Sequence, residues 1–267
     1  MKTVLLFLVF LFGSHVVIAA DFDHQHSVYA DVLKENVGWT RDGVASEVNY
    51  ALLKSNPKTL EQYAEQLSGV KRDTFDGWTK NQQLAFLINA YNAYTLQLIV
   101  EHYPLASIKD IGSFWQSPWQ QSFFTLLGKD MSLDELEHEI IRAPNRYNEP
   151  RIHFAVNCAS IGCPALRPEP FTADQLEQHL EDSTKRFLRD TTRNRYRDGE
   201  FQVSAIFKWY RQDFEQGWLG FNNLRDFFLR YADAMSLTQP QREQLSNAQA
   251  KYTFLPYDWS LNSSAEK

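Results

Sequence analysis

The stretch from Arg151 to Arg167 concentrates reactive side chains: His153, Asn157, Cys158, Ser160 and Cys163 fall within it, and it holds both cysteines of the chain. Two chemistries suit such a set. Cys158 and Cys163 can close a disulfide, or one of them can serve as a thiolate nucleophile if an adjacent base or positive field lowers its pKa. Five residues apart on a continuous helix, the two Cα atoms would be about 8 to 9 Å apart and out of bridging reach, so a bridge requires the segment to turn. Gly162 and Pro164 supply turn chemistry. The nucleophilic reading needs a base, and the candidates are His138 and His153, with Asn89 or Glu137 orienting the imidazole. Contacts to substrate would then fall to Asn92, Arg142, Ser160 and Arg167.

A third chemistry is a tetrahedral zinc site made of His138, His153, Cys158 and Cys163. The ligand types suit zinc, but the spacing follows neither a paired CxxC nor an HExxH pattern. The spacing of the cysteines also differs from the two-residue gap of thioredoxin-like redox motifs. No cofactor is otherwise implied. The acids Asp134, Glu135, Glu137 and Glu139 suit the negative first turn of a helix. Trp78, Phe114, Trp115, Trp119, Trp209, Tyr210, Trp218 and Trp259 offer stacking surfaces for sugars or peptides, although most aromatics pack in cores. The group at 114–119 is the one expected to be exposed, between Gly112 and Pro118.

These residues must be held by elements the pattern predicts to be mostly helical. Leu84, Leu87, Ile88, Tyr91, Thr95, Leu98 and Ile99 recur at helical spacing up to Pro104, and Ala85, Leu96 and Val100 make the opposite face apolar too. This helix should be central, with Asn89 and Asn92 buried and in need of partners. A capping box at Ser132 and Glu135 predicts a helix over 132–142, which would put Arg142 one turn beyond His138. Thr172 and Gln175 predict another over 172–188, and further helical patterns cover 206–214 and 224–232. Hairpins are expected around Gly128 and around Asp198-Gly199. For 152–157 the pattern leaves strand and helix open. The fold expected is α+β, a predominantly helical single domain with short β-hairpins.

Of the 267 residues, 43% are hydrophobic, enough for a sizeable core, and the net charge of −6 argues against nucleic acid as a partner. Lys2, the apolar run 4–12 and the small residues up to Ala20 read as a signal peptide over 1–20. The domain organisation expected is that segment, one domain over 21–262 and a flexible tail over 263–267. The protein should be periplasmic or secreted, without a stable membrane anchor once cleaved. Its partner would be an envelope small molecule or peptide.

The segments 85–94, 132–142, 153–167 and 255–262 together resemble the domain of unknown function 547 family, found in exported bacterial proteins and in plant proteins. The resemblance implies that Asn89, Asn92, Glu137, His138, Arg142, His153, Ser160, Pro164 and Arg167 occupy the characteristic positions of that family, and it implies no established activity. Three functions are therefore carried forward: a Cys/His-dependent hydrolase of an amide or ester in the envelope, a non-catalytic envelope-binding module stabilised by a disulfide, and a zinc-dependent hydrolase.

Overall fold

The structure, a computed structural model, describes residues 21–40, 42–113, 115–247 and 250–264. The expected signal peptide over 1–20 lies outside the described residues. Helix α1 (Ser27–Asn36) leads into a hairpin of β1 (Val37–Trp39) and β2 (Ser46–Val48). Then come α2 (Tyr50–Ser55), α3 (Lys58–Gly69), α4 (Arg72–Asp76) and the long α5 (Lys80–His102). A second hairpin, β3 (Phe124–Leu126) and β4 (Lys129–Met131), precedes the short α6 (Leu133–Glu135). The second half holds α7 (Leu176–Arg189), the strands β5 (Arg195–Arg197) and β6 (Glu200–Ser204), and α8 (Ile206–Trp209) and α9 (Arg211–Glu215). It closes with α10 (Leu224–Arg230), α11 (Gln239–Ser246) and β7 (Tyr252–Leu255). The architecture is the expected α+β fold with helices in the majority.

Thr79 and Gln82 form a capping box that starts α5, and the helix ends at His102, with Tyr103 before Pro104 already extended. Asn89 and Asn92 are buried on it among Leu87, Ile88, Tyr91 and Ala93. Both expected hairpins form. Leu127-Gly128 and Asp198-Gly199 each place two consecutive residues at positive φ, the backbone a tight two-residue hairpin turn requires. The strand β7 was not foreseen: it pairs parallel to β6, which brings residues 252–255 back into the molecule.

Three helical expectations need correction. The capping box at Ser132 and Glu135 is present, but α6 passes at once into a π-helical turn, Leu136–Ile141, in which Arg142 N–H bonds the Glu137 carbonyl at 2.9 Å. Helix α7 begins at Leu176 rather than Thr172. The pattern over 206–214 is broken at Tyr210, whose backbone leaves helical geometry (ψ 22°) while its ring stacks on His153. For 152–157 the outcome is neither long helix nor strand: Pro150–Phe154 is a 3₁₀ turn.

That turn sits at a seam. Ile152, Ala155 and Val156 belong to the apolar cluster around α5, whereas Phe154 belongs to a second cluster with Phe187, Phe207, Phe214 and Phe227. The two clusters thus grip opposite sides of one short segment, and His153 is carried between them. Of the flexible tail expected over 263–267, residues 265–267 lie outside the described residues, and the chain before them is tied down as far as Ser264. Asn262 accepts from the Tyr50 hydroxyl at 2.7 Å, Ser263 bridges to Val48, and Ser264 N–H bonds the Val48 carbonyl at 2.9 Å. Among the described residues no helix is long and apolar enough to cross a membrane.

Candidate functional site

The loop after the 3₁₀ turn is built by side-chain amides. Asn92 on α5 donates to the Ala155 carbonyl at 2.9 Å and accepts from Asn157 N–H at 2.8 Å, so one amide serves both groups of a buried backbone stretch. Asn157 in turn accepts from Ala159 N–H at 2.8 Å and donates to the Pro164 carbonyl at 2.7 Å. This holds Ala159 in the left-handed region, with φ 58°. A turn from Ser160 to Cys163 follows, closed at 3.0 Å. The chain doubles back enough to bring the Cα atoms of Cys158 and Cys163 to 6.2 Å, and the two form a disulfide. Cys158 therefore has no free thiolate in this state, and the reading of it as the resting nucleophile is corrected.

Residues 257–262 clamp the loop from outside. Ile161 N–H bonds the Ser260 carbonyl and Gly162 N–H the Asp258 carbonyl, both at 2.8 Å. Gly162 has to lack a side chain: a Cβ there would lie 2.9 Å from the Tyr257 ring and from the Asp258 carbonyl oxygen. The Tyr257 ring thereby reaches the sulfurs, with its hydroxyl 3.0 Å from Cys163 Sγ and 3.2 Å from Cys158 Sγ.

Beside the disulfide lies a cavity of about 260 Å³. The π-helical turn supplies Glu137 and His138 to it, with Asp134 one turn earlier; the 3₁₀ turn supplies His153; and Trp119, Trp209, Tyr210, Tyr257 and Trp259 form aromatic walls. The walls pack on one another, Tyr257 against Trp259 at 4.5 Å and Trp209 stacked on Trp259 at 5.9 Å. Glu137 is only 6% exposed, and its Oε1 is buried without a hydrogen-bond partner. Burial raises the hydroxyls of Tyr91 and Tyr210 above their usual range, and the neighbouring Glu137 carboxylate adds to it.

Asp213, from α9, organises the wall behind His153. It accepts from Arg142 Nε at 2.6 Å and Nη2 at 3.0 Å, and its Oδ2 lies 2.7 Å from His153 Nε2. Burial alone would raise this carboxyl, but the hydrogen bonds from His153 and Arg142 outweigh it and hold it far below the ordinary carboxylate range. An ionised Asp213 can only accept, so Nε2 carries the hydrogen and Nδ1 is the basic nitrogen. Burial pushes the His153 imidazole below its usual value despite the Asp213 bond, keeping the ring neutral near neutral pH.

The cavity is thus lined by Cys158, His138, His153 and Glu137 together. The other expected site residues lie elsewhere. Asn89 is a backbone clamp, donating to the Phe171 carbonyl at 2.7 Å and accepting from Phe171 N–H at 2.9 Å, so it orients no imidazole. Asn92 is committed to the Cys158 loop. Arg142 is spent on Asp213 and also touches His138 Nδ1. Ser160 donates to the Tyr257 hydroxyl at 3.1 Å. Arg167 is paired with Glu169 and with Asp182 (2.6 Å) away from the cavity. The four residues of the zinc reading do not form a ligand set, since both sulfurs are bridged and His153 Nε2 is taken by Asp213. Among the described residues no group of three or more His, Cys, Asp or Glu is placed to hold a metal ion. Trp115 is 88% exposed as expected, Trp119 packs against the core and the Trp259 ring, and Phe114 lies outside the described residues.

Sequence reasoning missed Asp213 and Tyr257. Asp213 carries no local signal, because it meets its partners only through the fold. Tyr257 stands in the closing segment 255–262 that the family resemblance had already marked.

Residues 75–188 match the model of a family described as a protein of unknown function, DUF547, which supports the resemblance over that span. No curated protein and no solved structure matches the chain.

Proposed function

We propose that this is an exported, disulfide-stabilised binding module whose cavity takes a compact ligand bearing a cationic group. The observation that carries the reading is Glu137, a buried carboxylate with an unpartnered oxygen, among Trp119, Trp209, Tyr210, Tyr257 and Trp259. Aromatic faces and a carboxylate together attract an ammonium group, the former through their quadrupoles and the latter by charge. Among the described residues that line the cavity there is no Lys or Arg; Asp134 faces His138 at 3.4 Å, and the nearest guanidinium, Arg142 behind the Tyr210 ring, is committed to Asp213. The volume is at the small end for ligand pockets, which favours a compact ligand. Binding is preferred to hydrolysis because both sulfurs are bridged and the two helix amides are occupied as clamps. Export is inferred from the expected signal peptide, and a disulfide fits an oxidising compartment.

The test is calorimetric titration with choline against its neutral isostere 3,3-dimethyl-1-butanol. Choline should bind at least tenfold more tightly, and Glu137→Gln should abolish the difference while leaving the unfolding midpoint within a few degrees. Equal affinity for the two compounds, or no binding of the cation, would overturn the reading. Recovery of the protein from a periplasmic fraction with its first 19 or 20 residues removed would bear on export; retention of residue 1 would count against it.

A further inference from the structure

Cys163 Sγ sits among donors that a disulfide sulfur needs little and a thiolate would use fully. The Cys158 backbone N–H points at it from 2.9 Å and the Tyr257 hydroxyl from 3.0 Å. Ser160 donates to the Tyr257 oxygen at 3.1 Å, which polarises that hydroxyl toward the sulfur. The Arg193 guanidinium bonds the Cys163 carbonyl and brings a positive charge, shared with Asp190 at 2.8 Å, to the same residue. Burial raises the Tyr257 hydroxyl well above its usual range, so it stays protonated and remains a donor. Divalent sulfur accepts weakly, whereas a thiolate accepts strongly, so the Cys158 N–H, together with a Tyr257 hydroxyl that lies nearer Cys163 Sγ (3.0 Å) than Cys158 Sγ (3.2 Å), favours the state in which the S–S bond is broken and Cys163 bears the charge.

The two sulfurs also differ in access. Both cysteines line the aromatic cavity, but Cys158 is half-buried while Cys163 is only 4% exposed. The donor geometry does not depend on a flexible side chain: Tyr257 is pressed on Gly162, and the backbone just after it is tied to the loop, Asp258 to Gly162 and Ser260 to Ile161.

We propose that Cys158–Cys163 is a thiol–disulfide exchange centre with assigned roles, Cys158 taking the attack of a small thiol in the cavity and Cys163 leaving. The thiolate of the incoming compound forms a bond to Cys158 Sγ, the Cys158–Cys163 bond breaks, and its electron pair departs with Cys163 as a thiolate held by Cys158 N–H and Tyr257. The products are a mixed disulfide on Cys158 and one thiolate on Cys163, with no other oxidant or reductant consumed. A leaving thiol of lowered pKa departs faster, which is the kinetic advantage the donors provide. Tyr257 is a positioning residue for this step. The activity is independent of the cation-binding reading, since it rests on the surroundings of the sulfurs and not on Glu137.

The full chain is treated with β-mercaptoethanol, a neutral thiol, quenched in acid and mapped by mass spectrometry. The adduct is expected on Cys158 with Cys163 free, and it should form at least tenfold faster than the same thiol reacts with oxidised glutathione. An adduct mainly on Cys163, or a rate no higher than that of oxidised glutathione, overturns the proposal. In the Cys158→Ser variant, alkylation of Cys163 by iodoacetamide should show a midpoint clearly below the ordinary thiol value of about 8.5. Adding Tyr257→Phe should return the midpoint toward that value. A midpoint at or above it in the single variant also overturns the proposal. Because choline binding is measured on the oxidised protein, failure there and failure of exchange are read separately.

Discussion

Replacing Asp213 by Asn keeps the shape of the side chain and removes the charge on which the wall behind His153 depends. The carboxylate accepts three bonds, from Arg142 Nε at 2.6 Å, Arg142 Nη2 at 3.0 Å and His153 Nε2 at 2.7 Å. An amide offers one acceptor oxygen and turns its NH₂ toward at least one of those donors. Hydrogen bonds to charged groups contribute about 1.5–3 kcal/mol each, and breaking a fully buried ion pair costs about 3–5 kcal/mol. The Arg142 and Asp213 side chains are 22% and 18% exposed, so water recovers part of this. The expected loss is about 3 kcal/mol, or a fall in Tm of roughly 6–12 °C for a domain of this size. Urea unfolding at pH 7 measures it, with the slope against denaturant unchanged. Arg142→Met in the same background should recover much of the difference, because the unpaired guanidinium is then gone. The pH dependence has a defined sign. The native Asp213 carboxyl titrates below its unfolded value of about 3.9, so its contribution is complete above that value and is lost as pH falls through the native one. The variant should be flatter below pH 4. A loss smaller than 1 kcal/mol at pH 7, with an unchanged acid limb, would refute the placement of Asp213 as the hub of this wall.

Two further outcomes are expected. Burial lowers the His26 imidazole to about 4, beside the Tyr63 hydroxyl at 2.7 Å. The unfolded chain takes up this proton first, so stability is full above about pH 6.5 and should drop by about 3 kcal/mol by pH 4, with His153 acting in the same direction. Urea unfolding at pH 7.5 and pH 4 checks this, and equal stability at both would contradict the burial of His26. Replacing both cysteines by Ala should cost about 2 kcal/mol, the loop-closure entropy of so short a ring. Thermal unfolding in the presence and absence of a reductant gives the same comparison, and no shift in either would show that the bridge restrains nothing.

How much of this was legible depended on how local each cause is. The apolar pattern from Leu84 to Val100 acts within a turn or two, and the helix it announces is present; the Ser132 box forms as well, but it starts only the short α6 before the π-helical turn. The positive-φ pairs at Leu127-Gly128 and Asp198-Gly199 are likewise decided by neighbours, and both hairpins form. What escaped was decided at a distance. The break at Tyr210 comes with a ring stacked 3.9 Å over His153, against a helical pattern that runs through it. Strand β7 has few signals of its own and is fixed by pairing with β6. At the site, Cys158, His138, His153 and Glu137 were singled out by their reactive side-chain types, and they do share a cavity. Asn89 and Asn92 were expected to be buried and are, but their roles differ from the catalytic one because each amide matches a loop N–H and carbonyl pair. Sequence cannot count such backbone demands before the fold is known.

The parallel return of β7 has a consequence for how the molecule comes into being. Tyr257 and Trp259, together with the clamps on Ile161 and Gly162, follow that strand, whereas α5 and its apolar surroundings are made of residues much earlier in the chain. A ribosome-bound or proteolytically shortened product ending before Tyr252 would lack one side of this cavity and the side chains that cover both apolar clusters from the C-terminal end. The Cys158 loop would then lack the backbone bonds to Asp258 and Ser260 and the tyrosine beside its sulfurs.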